Sequence, residues 1–301
     1  MGEKLITIEE TLEAADVDTA LVAGPYLIYS EMFEGPRRPL VFLATCGEDR
    51  SLIGSTGNTI KFLTASHLSA SEDTEQNIVT SGMAIGTKTL SMADVSVNTV
   101  IWSAVQLSDI LLEDYPNIAW VQKQLANMGS AVLEKLDANV KDVFVAGGTE
   151  VYNGSALAYG NVIDALATME NSNWIADDEN MPFLIVAPDV AGALMKDTSF
   201  VDARRYTAYE VSKMVEGEIG AFAGCRVLKT SLLDGTGHGF IVFPPDGKYG
   251  PVALIAWKRP LTVKNEYFTK NAYTYYVTSI RAKGVVTQAG GVGKLILTSS
   301  P

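Results

Sequence analysis

Few residues in this chain have the types and spacing that chemistry requires. Its two histidines are His67, in a Thr/Ser-rich stretch, and His238, among glycines. Neither has a second His or Cys at ligand spacing, which argues against zinc, and both read as surface or turn residues. Cys46 and Cys225 are far apart in sequence and outside any nucleophile signature, so they read as two buried thiols, with a disulfide left open. Gly290-Gly-Val-Gly-Lys294 resembles the end of a phosphate loop. That loop needs glycine where Gln288 stands and Ser or Thr where Leu295 stands. Gly235-Thr-Gly-His-Gly239 resembles a dinucleotide turn, but an apolar strand pattern follows it instead of a helix. No G-x-S-x-G elbow occurs. The acids Asp16 and Asp18, and the run Asp177–Asp178–Glu179, read as solvated faces, a divalent cation at Asp177–Asp178 being the lesser reading. Residue chemistry therefore predicts no catalytic residue, no cofactor and no metal.

Composition narrows the partners. At 301 residues and 47% hydrophobic, the chain can bury one or two cores. Its net charge of −12, with no Lys/Arg cluster beyond pairs such as Arg37–Arg38 and Arg204–Arg205, argues against tight, specific nucleic-acid binding. There is no secretory leader pattern. No apolar run approaches the roughly 18 residues needed to span a bilayer. The expectation is a soluble protein, not secreted and not membrane-bound. Charged residues make up only 19%, as expected of a large core or of a surface hidden against partners.

The elements are more informative than the side chains. Ile118, Val121, Leu125, Met128, Val132, Leu136, Val140 and Val143 recur at gaps of three and four, a stripe along one face of a helix over 116–146. At 1.5 Å per residue the rod is about 45 Å long. Pro116 suits its first turn and Gly147–Gly148 its end. Such a rod is scaffold and a poor place for a pocket.

Before it, 47–98 holds short Thr/Ser-rich β-prone runs punctuated by Gly54, Gly57, Gly82 and Gly86. Residues 59–63 and 92–97 alternate, with polar 69–77 between them, which predicts a long hairpin. A hairpin alone is marginal in water, so this one leans on a neighbour. Ser103 with Gln106 fits a capping box opening a short helix through Leu112. Residues 1–39 begin with a similar box, Thr7 with Glu10, and then break at Gly24–Pro25 and Gly35–Pro36, like an arm laid over a surface. After the rod come a helix over 161–170, a continuous apolar strand over 182–186, and a helix over 190–196 capped by Asp189. Strands follow at 226–229, 239–243 and 252–257. Strand patterns at 262–268, 273–277 and 294–298 close the chain and are placed beneath the long helix.

This order resembles the major capsid proteins of tailed phages and tailed archaeal viruses, the HK97-like family. Val100-Ile-Trp-Ser-Ala-Val-Gln-Leu-Ser-Asp109, Pro182-Phe-Leu-Ile-Val-Ala-Pro-Asp-Val190 and Glu216-Gly-Glu-Ile-Gly-Ala-Phe-Ala-Gly-Cys-Arg-Val-Leu228 carry the local likeness. The resemblance implies an α+β capsid fold. Its parts are an N-terminal arm (1–39), an extended E-loop (47–98), a P-domain with the spine helix (99–160), an α/β A-domain (161–257) and returning P-domain strands (258–301). It implies inter-subunit contacts from the E-loop, with Lys61, Phe62, His67, Glu72 and Asp73 as candidates. Spine-helix packing falls to Ile118, Val121, Leu125, Met128, Val132 and Leu136. The implied partners are further copies in hexamers and pentamers, separate scaffolding, portal and decoration proteins, and an enclosed dsDNA genome held without tight binding. The implied location is a virion, after synthesis in host cytoplasm. Family members often begin with a long charged scaffolding segment that is later cut away; this chain shows none, which puts proteolytic maturation in doubt. An encapsulin-like compartment shell keeps the fold and changes the cargo; a cytoplasmic α/β enzyme and a tail-tube or decoration protein are the more distant rivals.

Overall fold

The computed structural model describes residues 38–65, 90–109, 118–154, 157–176, 180–196, 218–234, 237–248, 250–269 and 272–298. Residues 1–37 of the predicted arm, residues 66–89 of the predicted hairpin and the acids 177–179 lie outside them, as do His67, Glu72 and Asp73. In chain order the elements are α1 (Val41–Ala44), β1 (Gly47–Asp49), β2 (Thr59–Ala65), β3 (Leu90–Ser96), β4 (Ile101–Ser108) and α2 (Ile118–Gly147). Then come β5 (Thr149–Gly154), α3 (Tyr159–Glu170), β6 (Phe183–Val186), α4 (Pro188–Lys196), β7 (Glu218–Phe222) and β8 (Cys225–Lys229). The chain closes with β9 (Gly237–Val242), β10 (Ala253–Phe268), β11 (Tyr273–Val286) and β12 (Val292–Leu297).

The predicted spine is α2, 30 residues long. Leu125, Met128, Val132, Leu136 and Val140 are all buried, as the stripe requires. The stripe then closes on Phe144, fully buried, while Val143 is only half-buried. Both positions lie one turn beyond Val140, and the larger ring takes the core place. Ile118 and Val121 belong to the helix backbone. The helix stops at glycine, where the Gly148 N–H donates to the Phe144 carbonyl at 2.9 Å.

A four-stranded sheet in the order β1-β10-β11-β4 lies against α2. Alternation and register put Ile101, Leu107, Tyr276 and Ile280 on the buried face toward the helix. Gly284 brings helix and strand close, since a Cβ there would stand 3.0 Å from Val140 Cγ2. Residues 101–108 are strand, not the helix that the Ser103/Gln106 box predicted. Ile101, Ser103, Val105 and Leu107 alternate with period two, and full antiparallel pairing of β4 with β11 prevails over a local capping signal.

The second sheet has six strands in the order β5-β12-β9-β6-β8-β7. All four residues of β6 are buried, which accounts for its unbroken apolar run. Ala223 (φ 51°) and Gly224 (φ 78°) make the tight turn between β7 and β8, and Gly220 (φ 137°) sits where β7 shifts register. Two placements differ from the sequence reading. Strand β12 was expected beneath the long helix but pairs between β5 and β9, because it carries buried apolar residues at alternate and adjacent positions suited to a central strand. Residues 253–257 begin the 16-residue β10, so one strand runs across the boundary drawn at 257/258. Asp189 lies inside the first turn of α4, where its carboxylate accepts from the Val190 N–H at 3.0 Å.

Candidate assembly interface

The hairpin forms as the alternation requires. Strands β2 and β3 pair antiparallel from Thr59↔Ser96 to Ala65↔Leu90, making a separate two-stranded sheet. Thr59 and Ser96 hydroxyls meet at 2.9 Å, and Lys61 Nζ stands 3.8 Å from Asp94 across the pair. Both charged side chains are exposed, so Lys61 is a solvated cross-strand partner. Ile60 and Phe62 turn to the other face. There they pack with Val285 on a small cluster of Leu52, Val95, Val97 and Ala256. That cluster is separate from the main core, which runs through α2 and both larger sheets.

At its root the hairpin also meets two cations of the four-stranded sheet. Lys258 Nζ donates to the carbonyls of Ser55 and Gly57, the latter at 2.7 Å. Arg281 Nη2 donates to the Val97 carbonyl at 2.9 Å. Sequence alone left both residues unremarked; two cations on long alternating strands resemble any solvated edge.

The segment between arm and hairpin is seated against the spine. Phe42 of α1, Phe144 of α2 and Phe240 of β9 form a ring trio with centroids 5.6 to 5.9 Å apart, each pair edge-to-face. Asp137 Oδ1 accepts from the Leu43 N–H at 2.9 Å. It thereby satisfies a donor in a four-residue helix that has no side-chain cap of its own. Burial raises the Asp137 carboxyl to about 6, against the opposing pull of the Leu43 N–H and of Arg38. Arg38 also donates to the Glu134 carbonyl at 3.0 Å. A signal for Asp137 was present: Ser130, Asp137 and Phe144 are spaced by seven, so a polar pair shares the buried face of the helix.

Cys46 and Cys225 are buried, free thiols, as read from sequence. Burial pushes both pKa values up, Cys225 to about 12, which leaves them poor nucleophiles. His238 lies on β9, not in a turn, with its ring stacked over Phe240 at 6.3 Å. The Gly290–Gly291 pair forms a 3-10 turn leading into β12. Among the described residues no three His, Cys, Asp or Glu gather as a metal site, and no helix is long and apolar enough to cross a membrane.

No model of a known protein family matches the sequence, and no curated protein matches it either. Solved structures do. The capsid of cyanophage P-SCSP1u superposes with a TM-score of 0.65 at 14% identity, covering 89% of this chain and 91% of that one. Mycobacterium phage Che8 gives 0.63 at 14% identity, over 87% and 93%. The SrpI encapsulin of Synechococcus elongatus gives 0.60 at 9% identity, over 87% and 88%. The chain has the HK97-like fold, and the likeness takes in nearly all of it.

Proposed function

We propose that this chain is a shell subunit, the major capsid protein of a tailed virus, assembling as hexamers and pentamers around a dsDNA genome. The observation that carries this reading is the extent of the match: 87–89% of the chain aligns with a cyanophage capsid and a mycobacteriophage protein over more than nine-tenths of their length. Little is left over for a separate catalytic unit. The exposed apolar side chains fit the same role. Trp102, 63% exposed on the edge strand β4, and Phe268 at the far end of β10 are surfaces that a neighbouring copy would cover. In this reading the hairpin is a strap across an adjacent subunit, and many modest closed contacts sum to a stable shell. Scaffolding, portal and decoration proteins are separate partners. The genome is enclosed without tight binding, in keeping with the net charge of −12. The subunit has no catalytic role; it is made in host cytoplasm and ends in the virion.

An encapsulin-like compartment is the second reading, favoured by the match to SrpI over 87% of the chain. Expression of the chain alone, followed by size-exclusion chromatography and negative-stain electron microscopy, tests what both readings share. Closed particles or ring-shaped capsomers are expected. A monomer or dimer that persists at micromolar concentration overturns both. Particles recovered from the native source then separate the two: packaged genomic DNA supports the virion, a single enzyme cargo the compartment.

A further inference from the structure

The contacts at the hairpin root come from a defect in a strand. Strands β10 and β11 pair in steady register from Ala253↔Val286 to Trp257↔Ala282, then resume at Arg259↔Arg281. Lys258 is the extra residue, a β-bulge, and a second shift follows before Thr262. A bulge lets two consecutive side chains emerge on one face. Here Lys258 and Arg259 both join Arg281 on the face away from the spine helix, beneath the hairpin. Among the described residues none of these three cations is in an ion pair. The ion pairs among the described residues are Arg38–Glu134, Arg50–Glu48, Lys61–Asp94 and Lys141–Asp142.

Their partners are backbone and hydroxyl oxygens. Lys258 holds the turn that leads into β2, through the carbonyls of Ser55 and Gly57 and the Ser55 hydroxyl at 3.3 Å. Arg281 holds the residues flanking the two strands, the Val97 carbonyl just after β3 and more distantly Asn58 Oδ1, just before β2, at 3.5 Å. Arg259 braces the site from beside, donating to the Ser279 hydroxyl at 2.8 Å. The two gripped levels are themselves joined, since the Val97 N–H donates to the Asn58 carbonyl at 2.8 Å. Carbonyls accept from a cation whatever the side chains are, so such a grip fixes backbone direction. The apolar cluster beneath consists of Leu52, Val95, Val97 and Ala256. It can keep the root attached, but non-directional burial does not set an angle.

We propose that Lys258 and Arg281 are positioning residues: a bulge-aimed two-cation clamp that fixes the direction in which the hairpin leaves the body. The proposal rests on the strap reading above for its consequence, since the strap's angle sets how neighbouring subunits meet and so the curvature of a shell.

The test is the double variant Lys258→Met with Arg281→Met, which keeps apolar stems and removes the donors. Lys264→Met, on the exposed part of the same strand, is the control. Hydrogen exchange on unassembled protein should show hairpin amides in Thr59–Ala65 and Leu90–Ser96 exchanging about tenfold faster, with Phe183–Val186 unchanged. Assembled particles should spread in diameter where wild type gives one size. Hairpin exchange within a factor of two of wild type overturns the clamp, whether or not shells form. Loosened hairpins in shells of unaltered size overturn its role in curvature and leave the shell reading standing. If wild type forms no shell, the shell reading fails and exchange alone decides the clamp. Should the double variant not fold, seen as fast exchange at Phe183–Val186, each single variant carries the same measurements.

Discussion

The body and the hairpin of this molecule are held by different forces. The main core runs unbroken from α1 through α2 into both larger sheets and includes the Phe42–Phe144–Phe240 trio. The hairpin rests on four buried residues, three partly buried ones and a set of charge-assisted hydrogen bonds to its root. Burial is large, cooperative and indifferent to direction; hydrogen bonds to backbone carbonyls are smaller and directional. One part of the chain is built to persist, and the other to point.

The largest effect should come where the body's three layers meet. Phe144→Ala removes the ring that touches both Phe42 and Phe240 and leaves a cavity between spine, α1 and the six-stranded sheet. A loss of about 3–5 kcal/mol is expected in denaturant unfolding. A loss below about 1 kcal/mol would mean the layers are not one cooperative core, and the contrast with the hairpin would fail.

Within the body, the contact of α1 with the spine should respond to pH. Asp137 is buried, and its carboxyl is raised from an ordinary 3.8 to about 6. Around it stand Arg38, which favours the charge, and Glu134, which opposes it; the Cys46 thiol is itself raised by Asp137. The folded state therefore holds a proton that the unfolded chain releases. The stability from this group is full below about pH 4, falls as pH rises through 6, and is then absent. The linkage is about 3 kcal/mol at most. Asp137→Asn keeps an acceptor for the Leu43 N–H and abolishes the titration. Thermal melts from pH 4 to 7 should show wild type losing stability relative to the variant as pH rises. A constant difference across that range would show that the carboxyl does not titrate there.

Periodic features were legible in the sequence. The spine helix shows in its stripe, the hairpin strands in their alternation and β6 in its unbroken apolar run, because each pattern reflects burial along a single element. What the sequence did not reveal depends on partners distant in the chain. Residues 101–108 hold a plausible capping box, and only pairing with β11 makes them strand. Strand β12 looks like its neighbours until β5 and β9 flank it. Lys258 acts at the hairpin root because of a bulge, and a bulge is a relation between two strands. For the candidate contacts of the hairpin, pattern gave the strands but not the surroundings. Lys61 projects to solvent while its neighbour Phe62 turns to the root cluster.

The smallest effect separates a charge that positions from one that only decorates. Lys61 and Asp94 face each other at 3.8 Å with side chains 63% and 55% exposed. Water screens such a pair, and ordering two flexible side chains offsets most of the attraction. Lys61→Met should change the stability of unassembled protein by less than about 0.5 kcal/mol. Hairpin exchange should stay at the wild-type rate, in contrast with the loss of Lys258, a cation of the same type whose donors reach backbone carbonyls. If Lys61→Met loosens the hairpin as much as Lys258→Met does, position at the root is irrelevant, and the hairpin is held by general charge balance along its length. If it is silent in the unassembled protein but weakens particles, Lys61 is then a contact to a neighbouring subunit, and its exposure in the single chain is the vacancy that neighbour fills.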